Sequence, residues 1–156
     1  MIQNVKHLSN TISNSMKRYN RISHSSYLLD AFYKNHLLNK NIHDEFKDEL
    51  LSHQQYNEYN YKKHIIYTDN ILETLLIEWT TNSFSPVHDH NSKGCIMMLL
   101  QGDIKERLFH PNTHIFQYER NLTKGISRYI DNYNHLHSIY NMSKTSSYTL
   151  HIYPKE

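Results

Sequence analysis

The sequence predicts a mainly β fold, a small jelly-roll-like β-barrel covered at one end by N-terminal α-helices. Three observations carry this. Between about residues 63 and 154 the chain breaks into short segments rich in β-branched and aromatic residues. Turn residues separate them at the roughly 8–12-residue spacing of sandwiches and barrels. From residue 1 to about 60, apolar residues recur instead with a helical period. Finally, 156 residues with no internal repeat or linker fit one domain, residues 1–156, around one core.

The helical cover, residues 1–60, holds two legible segments. In SSYLLDAFYKNHLL, Tyr27, Leu28, Phe32 and Leu38 fall near one helical face. In HDEFKDELL, acids occupy the first turn, where they complement the helix dipole, and Phe46, Leu50 and Leu51 share a side. The β part spans residues 61–156. Its strand candidates are ILETLLIEW, CIMMLL, DIKERLF, THIFQYE and SYTLHIY. Turns fall at Asn82-Ser83, Asn91 to Gly94, Gln101-Gly102-Asp103, Pro111-Asn112 and Lys124-Gly125.

Composition removes several function classes. The formal net charge of +2 is too near neutral for a nucleic-acid footprint. No stretch approaches the roughly 18 apolar residues of a membrane span, so no membrane partner is expected. The N-terminus, MIQNVKHLSN, lacks the apolar core of a signal peptide. Cys95 is the one cysteine, which excludes an internal disulfide framework and points to a reducing cytoplasm. A monomer is the expected state. With three glycines and no GxGxxG or GxxxxGK[ST], a phosphate-cradling loop is not expected. Of the 13 histidines, His7, His24, His36, His43, His53 and His110 read as solvated surface residues.

The chemistry concentrates in SPVHDHNSKGCIMMLLQGDIKERLF. His88 and His90 stand at i and i+2, so on a strand both point to one face. Two imidazoles on an interior face suit a divalent metal ion, although the pair alone is equally compatible with chance in a histidine-rich chain. A second element, NHLHSIYN, carries His137 and then Asn141. Together they resemble the paired motifs of the cupin fold, G-x5-H-x-H-x(3,4)-E-x6-G and a second ending H-x3-N. Cys95 stands near the place of the motif's Glu, and six residues separate it from Gly102. The joint pattern makes His88, His90 and His137 the candidate metal ligands.

A closer resemblance is to the cysteine dioxygenases, cupins in which Cys replaces that Glu. Their H-D-H-x4-C is similar to His88-Asp89-His90 followed by Cys95. Their L-x-G-x-[LI]-K-E-x-L-F is similar to Leu100 through Phe109. Their Y-I-x-x-x-x-G-L-H-x3-N resembles Tyr129, Ile130, Leu136, His137 and Asn141, and their S-x-H-x-Y resembles Thr149, His151 and Tyr153. The likeness covers about Tyr61 to Pro154. It implies Fe(II) on the three histidines, a small-molecule thiol and O2 as substrates, and a sulfinic acid as product. Three neutral imidazoles leave the iron its full charge, so a thiol would bind it as thiolate. The family implies that Tyr153 hydrogen-bonds near the substrate and O2, that His151 orients Tyr153, and that Cys95 and Tyr153 can join in a thioether crosslink. Thr149, His151 and Tyr153 alternate, so they share a strand face opposite Leu150 and Ile152.

The family binds the substrate carboxylate with an Arg in Tyr-x-Arg-Asn, which this chain lacks. Two registers compete. One aligns Tyr67-Thr68-Asp69-Asn70 and puts an acid at the cationic place. The other aligns Tyr61-Lys62-Lys63-His64 and keeps the spacing to Trp79, which matches a family Trp nine residues before the first metal His. The second is preferred, making Tyr61, Lys63 and Trp79 the substrate-binding candidates. Lys is a point charge rather than a bidentate fork, which opens the alternatives of 3-mercaptopropionate or cysteamine as substrate. A metal cupin without enzymatic activity and a cupin without metal are the other readings. His135 replaces a family Gly and is read as a rim residue or a competing ligand. Gly94 stands where the family often has His.

Overall fold

The computed structural model describes residues 1–51 and 55–156, so His53 lies outside the described residues. Helix α1, Ile2–Tyr19, buries Val5, Leu8, Ile12 and Met16, a stripe of helical period. It ends where Asn20 turns left-handed at φ 52° and its N–H donates to the Met16 carbonyl. A 3-10 turn, Ile22–Ser25, leads to α2, Ser26–Phe32, which runs on into a π-helical turn, Tyr33–Leu37. The buried residues here are Leu29, Phe32, Tyr33 and Leu37, while Tyr27 and Leu38 are exposed and Leu28 is half-buried. The expected face was therefore misplaced by about one residue. At the C-terminal end the cause is the π turn, in which Leu38 N–H donates to the Tyr33 carbonyl. One extra residue in that turn swings Leu37 inward and Leu38 outward.

Two short helices follow, α3 (Ile42–Glu45) and α4 (Lys47–Leu50). The Asn41 side chain accepts from Asp44 N–H at the start of α3, and Asp44 and Glu45 sit in its first turn as the sequence indicates. Phe46 and Leu50 are buried, but Leu51 falls past the helix end and is exposed.

Among the described residues eight strands follow: β1 Tyr61–Thr68, β2 Leu72–Trp79, β3 Cys95–Gln101, β4 Ile104–Phe109, β5 Phe116–Asn121, β6 Ser127–Ile130, β7 Leu136–Asn141 and β8 Ser147–Pro154. They form a five-stranded sheet, β1-β2-β8-β3-β6, and a three-stranded sheet, β5-β4-β7, antiparallel throughout. The helices cover the outer face of the large sheet, packing Val5, Leu29 and Phe46 against Leu72, Leu76, Leu150 and Ile152. The inner face carries Leu75, Ile77, Trp79, Met97 and Leu99, which meet Ile104 and Ile139 of the small sheet. Central strands are thus buried on both faces, which is why ILETLLIEW and CIMMLL read as nearly unbroken apolar runs.

The jelly-roll-like architecture with N-terminal helices is present, but its hydrogen bonding does not close into a barrel. The two sheets meet through their cores, and isolated bridges tie connecting segments to them: Phe84–Tyr140 and His88–His137 join the β2–β3 connection to β7, and Leu99–Lys124 joins the β5–β6 connection to β3. Strand β5 is an edge and is exposed along most of its length, including Phe116 and Tyr118.

Candidate metal centre

The connection from β2 to β3, residues 80–94, runs along the free edge of β7. Ser85 N–H donates to the Ile139 carbonyl at 2.9 Å, and the Ser85 hydroxyl accepts from Ile139 N–H at 3.0 Å. His88 and His137 exchange both backbone bonds, at 2.9 and 3.0 Å. His88 and His90 therefore lie in a bridged loop and not in a regular strand. Their two-residue spacing still turns both inward while Asp89 points to solvent. Two ties hold the far end of the loop: Asn91 Nδ2 donates to the Pro154 carbonyl and Lys93 Nζ to that of Lys155. Asn141, the last residue of the second motif, is an anchor. Its Nδ2 lies 2.8–3.0 Å from the carbonyls of Trp79, Thr80 and Thr145. Gly94 closes the loop at φ 79°, and a Cβ there would collide with the ring of Tyr129, so a His at this place has no room.

The three imidazoles converge. His90 Nε2 lies 2.9 Å from His137 Nε2, which lies 3.0 Å from His88 Nε2. Among the described residues these three form one group able to hold a metal ion, with ligand atoms all within 4.8 Å of one another. His135 is not among them; it is half-buried, with its ring edge-on to Tyr118.

Proton accounting shows that the group suits a cation. His88 Nδ1 is 2.9 Å from the Pro86 carbonyl and His137 Nδ1 is 2.8 Å from Glu106 Oε1. A carbonyl and a carboxylate only accept, so both Nδ1 atoms carry the proton. With one proton on each ring, both Nε2 atoms present bare lone pairs to each other at 3.0 Å, which a divalent ion resolves. Burial first, and then the proximity of His137, lower His88 to about 4 and His90 to about 2, so both are neutral at neutral pH.

Glu106 has no counterpart among the sequence-assigned site residues. It is fully buried and bridges His137 to Arg120, whose Nε lies 2.6 Å from Oε2. Burial alone would raise its pKa, but His137 and Arg120 hold it below the usual carboxylate range. The signal was present in the alternation of strand β4. Ile104, Glu106 and Leu108 share the inward face, and an acid in such a row needs a buried partner.

On β8 the expected alternation holds. Thr149, His151 and Tyr153 face the small sheet, whereas Leu150 and Ile152 join the core under the helices. Trp79 Nε1 donates to Thr149 Oγ1 at 2.7 Å, Thr149 Oγ1 lies 2.8 Å from His151 Nε2, and His151 Nδ1 lies 2.9 Å from the Tyr153 hydroxyl. Tyr153 in turn hydrogen-bonds Cys95. Burial pushes up both the Cys95 thiol and the Tyr153 phenol, keeping both protonated. The Tyr153 ring sits 5.7 Å from that of His90.

A small pocket opens beside the cluster. Tyr61, Lys63, Ile77, Trp79, Ser85, His88, Ile139, His151 and Tyr153 line it. Tyr61 and Lys63 lie across from Trp79 and Ile77 in the β1–β2 register. Asp69 sits instead in the β1–β2 turn, held by the hydroxyls of Ser13 and Tyr67 and by the N–H groups of Ile71 and Leu72. Lys63 thus lines the pocket, whereas Asp69 does not.

Fold and site together define a cupin carrying a three-histidine cluster. The described fold resembles the cupin domain of Schizosaccharomyces pombe Cnp3, with TM-score 0.55, 13% identity and coverage of 69% of this chain and 71% of that one. It also resembles a cupin superfamily protein of Desulfitobacterium hafniense, with TM-score 0.51, 11% identity and coverage of 65% and 84%. The family described as Cysteine dioxygenase type I matches residues 38–155, and the chain belongs to that family. Cysteine dioxygenase type 1 of Rattus norvegicus is 32% identical over 112 residues, and that of Homo sapiens is 30% identical over the same length. Each alignment covers 67% of this chain and 56% of the relative, so the chain spans about half the length of the curated relatives it matches. The match begins well before Tyr61, so family likeness reaches into the helical cover.

Proposed function

We propose that the chain is a thiol dioxygenase that holds Fe(II) on His88, His90 and His137 and adds both atoms of O2 to the sulfur of a small thiol acid, L-cysteine first. Cysteine and O2 then combine to cysteine sulfinic acid with no other reactant. The observation that carries this reading is the convergence of three imidazoles, two with Nδ1 already protonated, next to the Cys95–Tyr153 pair. Iron bound there would supply open positions for a thiol and O2, and the redox capacity of the reaction. The chain's own residues do the rest. Lys63 at the pocket mouth pairs with the substrate carboxylate. Ile77, Ile139 and the Trp79 ring exclude water. Glu106 fixes the orientation of His137 and raises its basicity as a ligand. Tyr153 presents its hydroxyl to the bound substrate. The contact between Cys95 and Tyr153 supports a thioether crosslink, in which the S–H and one ring C–H give their two hydrogens to O2, released as hydrogen peroxide. The single buried thiol suits a reducing cytoplasm, and we treat the chain as a monomer.

The test is O2 uptake by the Fe(II)-loaded protein with L-cysteine, 3-mercaptopropionate and cysteamine, with the sulfinate identified by mass. Cysteine preferred over cysteamine supports the reading. Because Lys63 is a point charge, preference for 3-mercaptopropionate keeps the carboxylate role and changes only the substrate. Full iron occupancy with no uptake on any thiol would leave a metal-binding cupin without this activity.

A further inference from the structure

Thr149 has one hydroxyl hydrogen, and two groups within bonding distance among the described residues. These are Trp79 Nε1 at 2.7 Å and His151 Nε2 at 2.8 Å. An indole N–H only donates, so Trp79 takes a lone pair of Thr149 and the hydroxyl hydrogen cannot point toward it. The remaining direction is His151 Nε2. If that nitrogen accepts, the proton of a neutral imidazole is on Nδ1, which then donates to the Tyr153 oxygen 2.9 Å away. Tyr153 then keeps its one hydroxyl hydrogen to donate, either to Cys95 or into the pocket. The opposite assignment makes Thr149 accept from both neighbours and leaves a buried hydroxyl hydrogen without an acceptor, which native interiors avoid. Only one direction satisfies the whole row.

We propose that Trp79, acting through Thr149, sets the tautomer of His151 and thereby makes Tyr153 a hydrogen-bond donor toward the metal side of the pocket. Trp79 is a positioning residue: its N–H is consumed by Thr149, so it shows the pocket only its ring. This deepens the proposed function, on which its consequence for the substrate rests. The tautomer itself is a property of the chain, whatever thiol the site takes.

The experiment is long-range 1H–15N correlation on the full chain labelled with 15N-histidine, metal-free and with diamagnetic Zn(II). His151 is assigned by its loss in His151→Gln. The expected result is the Nδ1–H pattern for His151 in both forms, retained in Thr149→Ser, which keeps the hydroxyl. In Trp79→Phe the freed hydroxyl can turn into the vacated space, and an Nε2–H population should appear. An Nε2–H pattern in the unmodified chain overturns the proposal without any variant. An unchanged Nδ1–H pattern in Trp79→Phe overturns the part assigned to Trp79. Neither outcome bears on whether the Fe(II) protein consumes O2, so the two readings fail separately.

Discussion

Replacing His137 with Ala should strip most of the iron from the protein, while His135→Ala should leave occupancy intact, because only His137 brings its Nε2 to the other two imidazoles. Metal analysis after loading distinguishes them, and the reverse result would transfer the ligand role to His135. Glu106→Gln keeps an acceptor for His137 Nδ1 but removes the charge shared with Arg120. We expect metal affinity to fall about 10- to 100-fold, read by competition with a chelator. Lys63→Ala should raise KM for cysteine about 10- to 100-fold, since a charge-assisted bond contributes roughly 1.5–3 kcal/mol. Lys63→Arg should preserve KM, and equal KM values for all three proteins would remove Lys63 from the site. The three histidines were legible because ligand spacing is written along the chain. Glu106 and Arg120 were not singled out, because their partnership joins two strands and appears only when Glu106 pairs with Arg120 in the β4–β5 register.

Single elements were legible where their pattern was regular. Strand β8 alternates without a break, and its two faces could be assigned from sequence. Strand β1 carries an irregularity between Ile65 and Tyr67 and leaves Ile65 exposed, and β6 has only four residues, so neither stood out among the strand candidates. The π turn after α2 is invisible to a search for regular period. The β1–β2 turn gives an element-level prediction. Burial opposes ionisation of Asp69, but hydrogen bonds led by that from Ser13 hold its carboxyl at about 2. Because the folded pKa lies below the unfolded value near 4, the stabilisation is complete above about pH 4 and is lost as pH falls through about 2. The carboxyl is partly solvated, so we take the contribution as about 1 kcal/mol after screening. Urea unfolding should find Asp69→Asn less stable than the parent by about that amount at pH 7, with the gap closing near pH 2. A constant gap across that range would assign the cost to shape instead of charge.

At the scale of the molecule, the cupin architecture was legible because paired motifs and turn spacing constrain topology together. The failure of the barrel to close was not, since closure depends on bonds between distant edges that no local pattern records. His137 belongs to the small sheet, whereas His88 and His90 hang from the loop joining two strands of the large one. A metal ion there ties the two sheets together. Binding at about 100 times Kd adds roughly 2.7 kcal/mol, so Tm should rise by about 5–10 °C on loading with metal. His88→Ala should abolish the rise, and the same rise in that variant would place the stabilising ion elsewhere.

The burial of Cys95 has a further outcome. A protein that would oxidise other thiols keeps its own out of reach, fully covered, protonated and bonded to Tyr153. An alkylating reagent attacks only thiolate and needs access, so in uncrosslinked molecules it must wait for the fold to open. Cys95 is thus a built-in clock: the rate at which iodoacetamide labels it under native conditions reports how often the whole core comes apart.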